Sequence, residues 1–277
     1  MSESAEISPA ARAIDRLLDL MARLRAPDGC AWDREQTPAT LKPQMIEEVY
    51  EVIEAIDSGS PGHLTEELGD LLLHIVFQAQ IARETGQFAF ADVVNGIADK
   101  LVRRHPHVFG DAKVADAAGV VAQWHELKKA EKPERVSALD GVPRALPALM
   151  RAEALQQKAR RVGFDWPDPQ GSLEKVREEI AEVTAEIESD LAFARANEAK
   201  FTPAPETAEE LGDLLFSIVN LTRHLKLDAE ELLTGANDKF ARRFRAVEAR
   251  IKAQGKAMTD CTLEELDAAW NDVKAEL

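Results

Sequence analysis

The feature that most limits what this chain can fold into is an acidic block written twice. Glu66-Glu67-Leu68-Gly69-Asp70-Leu71-Leu72 returns letter for letter as Glu209-Glu210-Leu211-Gly212-Asp213-Leu214-Leu215. Three further blocks recur in the same order. Glu47-Glu48-Val49-Tyr50-Glu51-Val52 matches Glu178-Glu179-Ile180-Ala181-Glu182-Val183, and Asp99-Lys100-Leu101-Val102-Arg103-Arg104 matches Asp238-Lys239-Phe240-Ala241-Arg242-Arg243. Each set closes on a tryptophan and a lysine four apart, Trp124 and Lys128, then Trp270 and Lys274. Four blocks in one order are a duplication, so the architecture is two tandem copies of one unit.

The periodicity of that unit is helical. Ile14, Leu17, Leu18 and Met21 recur at helix spacing and set a first helix over 8–25. An irregular stretch through Cys30-Ala31-Trp32-Asp33 follows, then helices over 43–56, up to 85–86, and over 91–104. Ser58-Gly59-Ser60-Pro61-Gly62 turns the chain between the second and third helices. The second copy repeats the plan at 147–161, 172–197, 207–225 and 228–253, with a last helix opened by the capping box Thr262-x-x-Glu265. No strand-period segment of useful length occurs. The expectation is an all-α chain with an N-terminal unit at 1–132, a linker at 133–146 and a C-terminal unit at 147–277.

Composition narrows the function. Aromatics make up only 5%, which favours helix over sheet. With 34 basic and 50 acidic residues the net charge is −16, which repels polymeric DNA or RNA, and no long basic stripe overrides it. No apolar run approaches bilayer length, and the polar, acidic start has no signal-peptide character. Cys30 and Cys261 form neither a disulfide framework nor a metal-ligand set, so a reduced cytoplasm is the expected location.

An acidic surface still accepts a small anion if divalent cations bridge the two. Residues three apart share a helix face, so Glu179 with Glu182, and Glu210 with Asp213, converge if their helices form a hairpin. Four such charges repel unless a cation sits among them, and an all-oxygen donor set selects Mg²⁺, Mn²⁺ or Ca²⁺ over zinc or copper. A single acidic pair at this spacing usually marks only a solvated face. Here the acids are embedded among Leu68, Leu71, Leu72, Leu211, Leu214 and Leu215, and they recur as a set. Di-iron bundles use Glu-x-x-His, yet none of the six histidines follows an acid by three residues, and His74 and His224 are expected to be core or surface residues. Lys239 and Arg243 share a face, as do Lys100 and Arg104, and a lysine with an arginine fork suits a polyphosphate. Lys175 lies one turn before Glu179, which puts an ammonium beside the carboxylates. Trp270 is read equally as a base-stacking or a packing residue.

Glu-Glu-x-x-Glu, a spacer and Glu-x-x-Asp resemble the signature of the MazG-type nucleoside triphosphate pyrophosphohydrolases. Cys30-Ala31-Trp32-Asp33, the run from Arg103 to Phe109, Val162-Gly163-Phe164-Asp165-Trp166 and the run from Lys239 to Phe244 also resemble family segments, with Ala31 where the family usually has proline. The resemblance implies a tandem, homodimeric, all-α enzyme that uses Mg²⁺, or Mn²⁺ in its place, to cut nucleoside triphosphates to monophosphate and pyrophosphate. It implies that the C-terminal unit is the active one, with Glu179, Glu182, Glu210 and Asp213 as metal ligands. Lys175, Glu178, Glu209, Asp213, Lys239, Arg243 and Trp270 then serve the nucleotide, and Glu178 helps the attacking water. Glu48, Glu51, Glu67 and Asp70 form a possible second metal set, but Gln44 stands where Lys175 would be. Glu51 and Glu67 are 16 positions apart, against 28 between Glu182 and Glu210, so the C-terminal unit has the longer loop. A narrower nucleotide substrate, and a helical dimer that only binds nucleotide, are the alternatives.

Overall fold

The computed structural model describes residues 8–114, 116, 119–120, 123–124, 127–128, 131 and 136–276. The acidic start at 1–7, His125 and the first linker positions at 133–135 lie outside the described residues. The chain divides into two compact units, Met1–Lys132 and Pro133–Leu277. All regular structure among the described residues is helical, and no helix there is long and apolar enough to cross a membrane.

In the first unit, α1 (Pro9–Leu24) starts where the Ser8 hydroxyl accepts from Ala11 N at 3.1 Å, with Pro9 at the first helical position. Residues 31–35, expected to be irregular, form the short helix α2 (Ala31–Glu35). Their helical state is imposed from outside: Arg25 donates to the carbonyls of Asp33 and Gln36 and so fastens the far end of this single turn. Helices α3 (Lys42–Ser58) and α4 (Pro61–Glu84) pack side by side as a hairpin. Gly59, at φ 64°, takes the left-handed position that ends α3, and Ser60 caps α4. Met21, Leu41, Val76, Phe77 and Ile81 form the core between α1 and α4. Helix α5 (Phe90–Arg104) packs on α4 and is followed by the short α6 (Pro106–Phe109).

The second unit contains α7 (Ala148–Arg160), α8 (Pro169–Ala196), α9 (Pro205–His224), α10 (Ala229–Ala253), a 3₁₀ turn (Met258–Asp260) and α11 (Leu263–Glu276). The Thr262–Glu265 capping box is formed in both directions, at 3.0 and 3.3 Å. Helices α8 and α9 pair as α3 and α4 do, but they are joined by residues 197–204. That loop is fixed by Asp190, which accepts from Ala204 N at 3.0 Å and from the Thr207 hydroxyl at 2.6 Å. Ala152, Val219 and Ala229 join α7, α9 and α10, while Val247, Ile251, Ala269 and Val273 join α10 to α11. Residues 136–146 run through turns, and Lys158 Nζ donates to the Asp140 carbonyl at 2.7 Å.

Candidate active site

The α8–α9 hairpin assembles the acids that the spacing aligned. Glu179 projects from α8, Glu210 and Asp213 from α9, and each brings an oxygen within 4.8 Å of the others. Glu179 is 3% exposed. Its Oε1 receives Lys175 Nζ at 2.7 Å, whereas its Oε2 is buried with no hydrogen-bond partner. Lys175 also reaches Glu178 at 2.8 Å, and the two carboxylates hold its ammonium above its ordinary pKa. Burial, followed by the charges of Glu182, Glu179, Asp213 and Glu209, pushes the Glu210 carboxyl up. Glu182 is therefore felt at the cluster, although it is not one of the three with oxygens in mutual reach. A single ammonium does not balance this group of acids. An orphaned buried oxygen and three converging carboxylates, with no histidine or cysteine in the cluster among the described residues, fit a hard divalent cation.

The other expected nucleotide residues lie on α10 and α11. Lys239 is exposed, and Arg243 keeps its Nε buried with no partner. Trp270 packs beside the α10–α11 core with its ring 5.3 Å from that of Phe240, which stacks on Phe244 at 5.8 Å. The packing half of the Trp270 reading is thus realised. Among the described residues, no hydrogen bond or ion pair joins Lys239, Arg243 or Trp270 to the carboxylates.

The α3–α4 hairpin assembles Glu48, Glu67 and Asp70 within the same 4.8 Å. Burial, then the charges of Asp70 and Glu51, raises the Glu48 carboxyl. Two histidines border this cluster. His63 Nε2 lies 3.1 Å from Glu67, and the buried His74 places Nε2 3.7 Å from Glu48, with burial pushing its ring toward the neutral form. Sequence reasoning left His74 as core or surface and gave His63 no role, because it tested only three-residue spacing. His63 precedes Glu67 by four and His74 follows Asp70 by four, which is equally a same-face relation. Gln44, in the place of Lys175, has its Oε1 buried and unpartnered.

A second set of charges went unnoticed in the sequence. Asp165 accepts from Arg223 and contacts His224 Nε2 at 3.0 Å, and Arg223 holds its carboxyl below the usual range. This ties the turn before α8 to the end of α9. Its partners are 58 and 59 residues away, so no local pattern announces the contact.

These features agree with what the chain is similar to. The model of the MazG nucleotide pyrophosphohydrolase domain matches residues 36–109 and 168–247, one segment on each acidic hairpin. A nucleoside triphosphate pyrophosphohydrolase of Escherichia coli (strain K12) is 47% identical over 266 residues, covering 95% of this chain and 97% of that protein. A nucleoside triphosphate pyrophosphohydrolase/pyrophosphatase MazG of Thermotoga maritima is 44% identical over 261 residues, 94% of this chain and 95% of that protein. An uncharacterized protein of Bacillus subtilis, YabN, is 46% identical over 256 residues, which span 92% of this chain and 50% of that protein. With two copies of the domain and relatives this similar along nearly its whole length, the chain belongs to the MazG nucleotide pyrophosphohydrolase family.

Proposed function

We propose that this chain hydrolyses nucleoside triphosphates of several bases to monophosphate and pyrophosphate, and that its C-terminal unit does so with Mg²⁺, replaceable by Mn²⁺. The observation that carries the reading is the buried, unpartnered Oε2 of Glu179 within reach of Glu210 and Asp213. Glu179, Glu182, Glu210 and Asp213 would hold the cation, which when bound offsets polyphosphate charge and lowers the pKa of a bound water. The rest falls to the chain itself. Lys175, now spanning Glu178 and Glu179, is placed to turn toward an arriving phosphate oxygen. Glu178, exposed and freed by that turn, accepts a proton from the water attacking the α-phosphorus. Lys239 and Arg243 neutralise the departing pyrophosphate, Glu209 and Asp213 border the nucleotide, and Trp270 offers an aromatic edge to the base.

The same reading includes the tandem division at 1–132, 133–146 and 147–277, a second metal set at Glu48, Glu51, Glu67 and Asp70, a cytoplasmic location and a homodimer. Helix α3 supports the last. Ile46, Val49, Tyr50, Ile53 and Ile56 stand 41–56% exposed on the face opposite Glu48, Glu51 and the buried Ala55. A stripe of that kind is what a partner helix covers.

The test is turnover of a nucleoside triphosphate panel in ¹⁸O-water with Mg²⁺. The expected products are pyrophosphate and a monophosphate that carries the label. Orthophosphate as product, label in the pyrophosphate, or equal turnover after chelation of the metal defeats the reading.

A further inference from the structure

The two units carry matching basic residues, Lys100 and Arg104 against Lys239 and Arg243, and matching Trp-x-x-x-Lys segments. The two arginines nevertheless have opposite electrostatic surroundings. Arg104 is 5% exposed, and its Nε donates to both oxygens of Glu131 at 3.1 and 3.3 Å while Nη2 closes the fork on Oε2. Arg103 Nε adds a bond to Glu131 Oε1 at 2.7 Å. The Arg104 guanidinium lies 5.1 Å from the Trp124 ring centroid, and Lys128 Nζ lies 4.9 Å from the same centroid. Guanidinium forks of this kind recognise carboxylate and phosphate with the same geometry. Arg104 and Arg103 pull the Glu131 carboxyl down to about 2. In the C-terminal unit, Arg243 Nε is buried with no acceptor and Trp270 faces Phe240 instead.

We propose that Glu131 fills, from within the chain, the position a phosphate group would take on Arg104, so that the N-terminal unit contains a polyphosphate site closed by its own carboxylate while the counterpart at Arg243 is open. The proposal rests on the reading of Arg243 as a polyphosphate ligand. A carboxylate tethered to the same chain is present at an effective concentration on the order of millimolar or above, and it competes continuously with any free anion. Gln44, standing where the second unit has Lys175, leaves this site with one positive charge fewer. The unit thus keeps its acidic cluster and its arginine but has the arginine satisfied. Its retained parts define a latent site for an anion of the polyphosphate class.

The experiment is calorimetric titration of the full chain with α,β-methylene-ATP and Mg²⁺, using wild type, Glu131→Gln, Glu131→Leu and Glu131→Gln/Arg104→Gln. Wild type takes up one equivalent per chain, the single Glu131 variants take up two, and the double variant returns to one. Two equivalents in wild type overturn the proposal, because the site would then not be closed. One equivalent in both folded Glu131 variants also overturns it. So does a loss of helical circular dichroism in both, because Glu131 would then be only a brace for the fold. A wild type that takes up none counts against the proposed function of the C-terminal unit instead, while an Arg104-dependent equivalent gained in Glu131→Gln still supports the inference.

Discussion

The α3–α4 and α8–α9 hairpins carry the same acids at the same spacing and differ in what answers their charge. In the first, His63 and His74 border Glu67 and Glu48, and an uncharged Gln44 sits one turn before Glu48. In the second, Lys175 grips Glu178 and Glu179, while Glu206 and Ser217 stand at the positions of the two histidines. The fastening at the end of each hairpin also differs, with its charges exchanged. Arg25, in the segment after α1, pairs with Glu84 at the end of α4, whereas Asp165, in the segment after α7, pairs with Arg223 near the end of α9. A duplicated motif therefore preserves a framework of acids, and the counter-charges around it distinguish one copy from the other.

The largest effect that can break this comparison is on turnover. Asp213→Asn or Glu179→Gln is expected to lower pyrophosphate release on the order of 10²–10³-fold, while Asp70→Asn leaves most of it. If Asp70→Asn is the more damaging change in steady-state assays, the working unit has been assigned to the wrong copy. Next in size is the Asp165 clamp. Asp165→Asn strands the buried Arg223 and should cost about 3 kcal/mol in denaturant unfolding, whereas Glu84→Gln, at the more open Arg25 pair, should cost about 1 kcal/mol. The Asp165 carboxyl is depressed in the folded state. Its contribution is therefore complete above its unfolded value of about 4 and is lost as pH falls through its folded value. Acid titration of wild type should show that loss below about pH 4, and Asp165→Asn should not.

A smaller effect sharpens the contrast in metal binding. Mg²⁺ at about 100 times its dissociation constant should add about 2.7 kcal/mol to the stability of whichever unit binds it. The gain, read as a rise in Tm, should shrink in Glu179→Gln. A rise unchanged in Glu179→Gln and abolished in Glu48→Gln would move the metal to the other hairpin. The smallest effect concerns the turns. Gly59→Ala forces a side chain into φ 64° and should cost about 1 kcal/mol, while Ala199→Gly in the longer loop should cost less. Equal costs would mean that both turns are held in the same way.

Much of this was legible because it is local. The duplicated blocks and the helical period of Leu17, Leu18 and Met21 located the long helices, and three-residue spacing put Glu210 beside Asp213. The contact of Lys175 with Glu179 followed from one helical turn. What escaped is held by partners distant in sequence. Helix α2 exists because Arg25 reaches over to its carbonyls, and Asp165 meets a helix end 58 residues away. His74 was visible as a letter, but its burial next to Glu48 depends on how α3 packs on α4. Glu131 is an acid within a charged stretch, and its grip on Arg104 spans 27 residues.

The unequal lengths of the two acidic helices leave a practical opening. Helix α3 has 17 residues and α8 has 28, yet the last site acid, Glu51 in one and Glu182 in the other, stands within the first two-thirds of each. At 1.5 Å per residue, the stretch from Glu182 to Ala196 carries the chain roughly 20 Å past the chemistry before it turns back. Whole turns added or removed there, in matched pairs on α8 and α9, would resize the far end of the hairpin like a telescoping mast. The carboxylates at its foot would stay where they are.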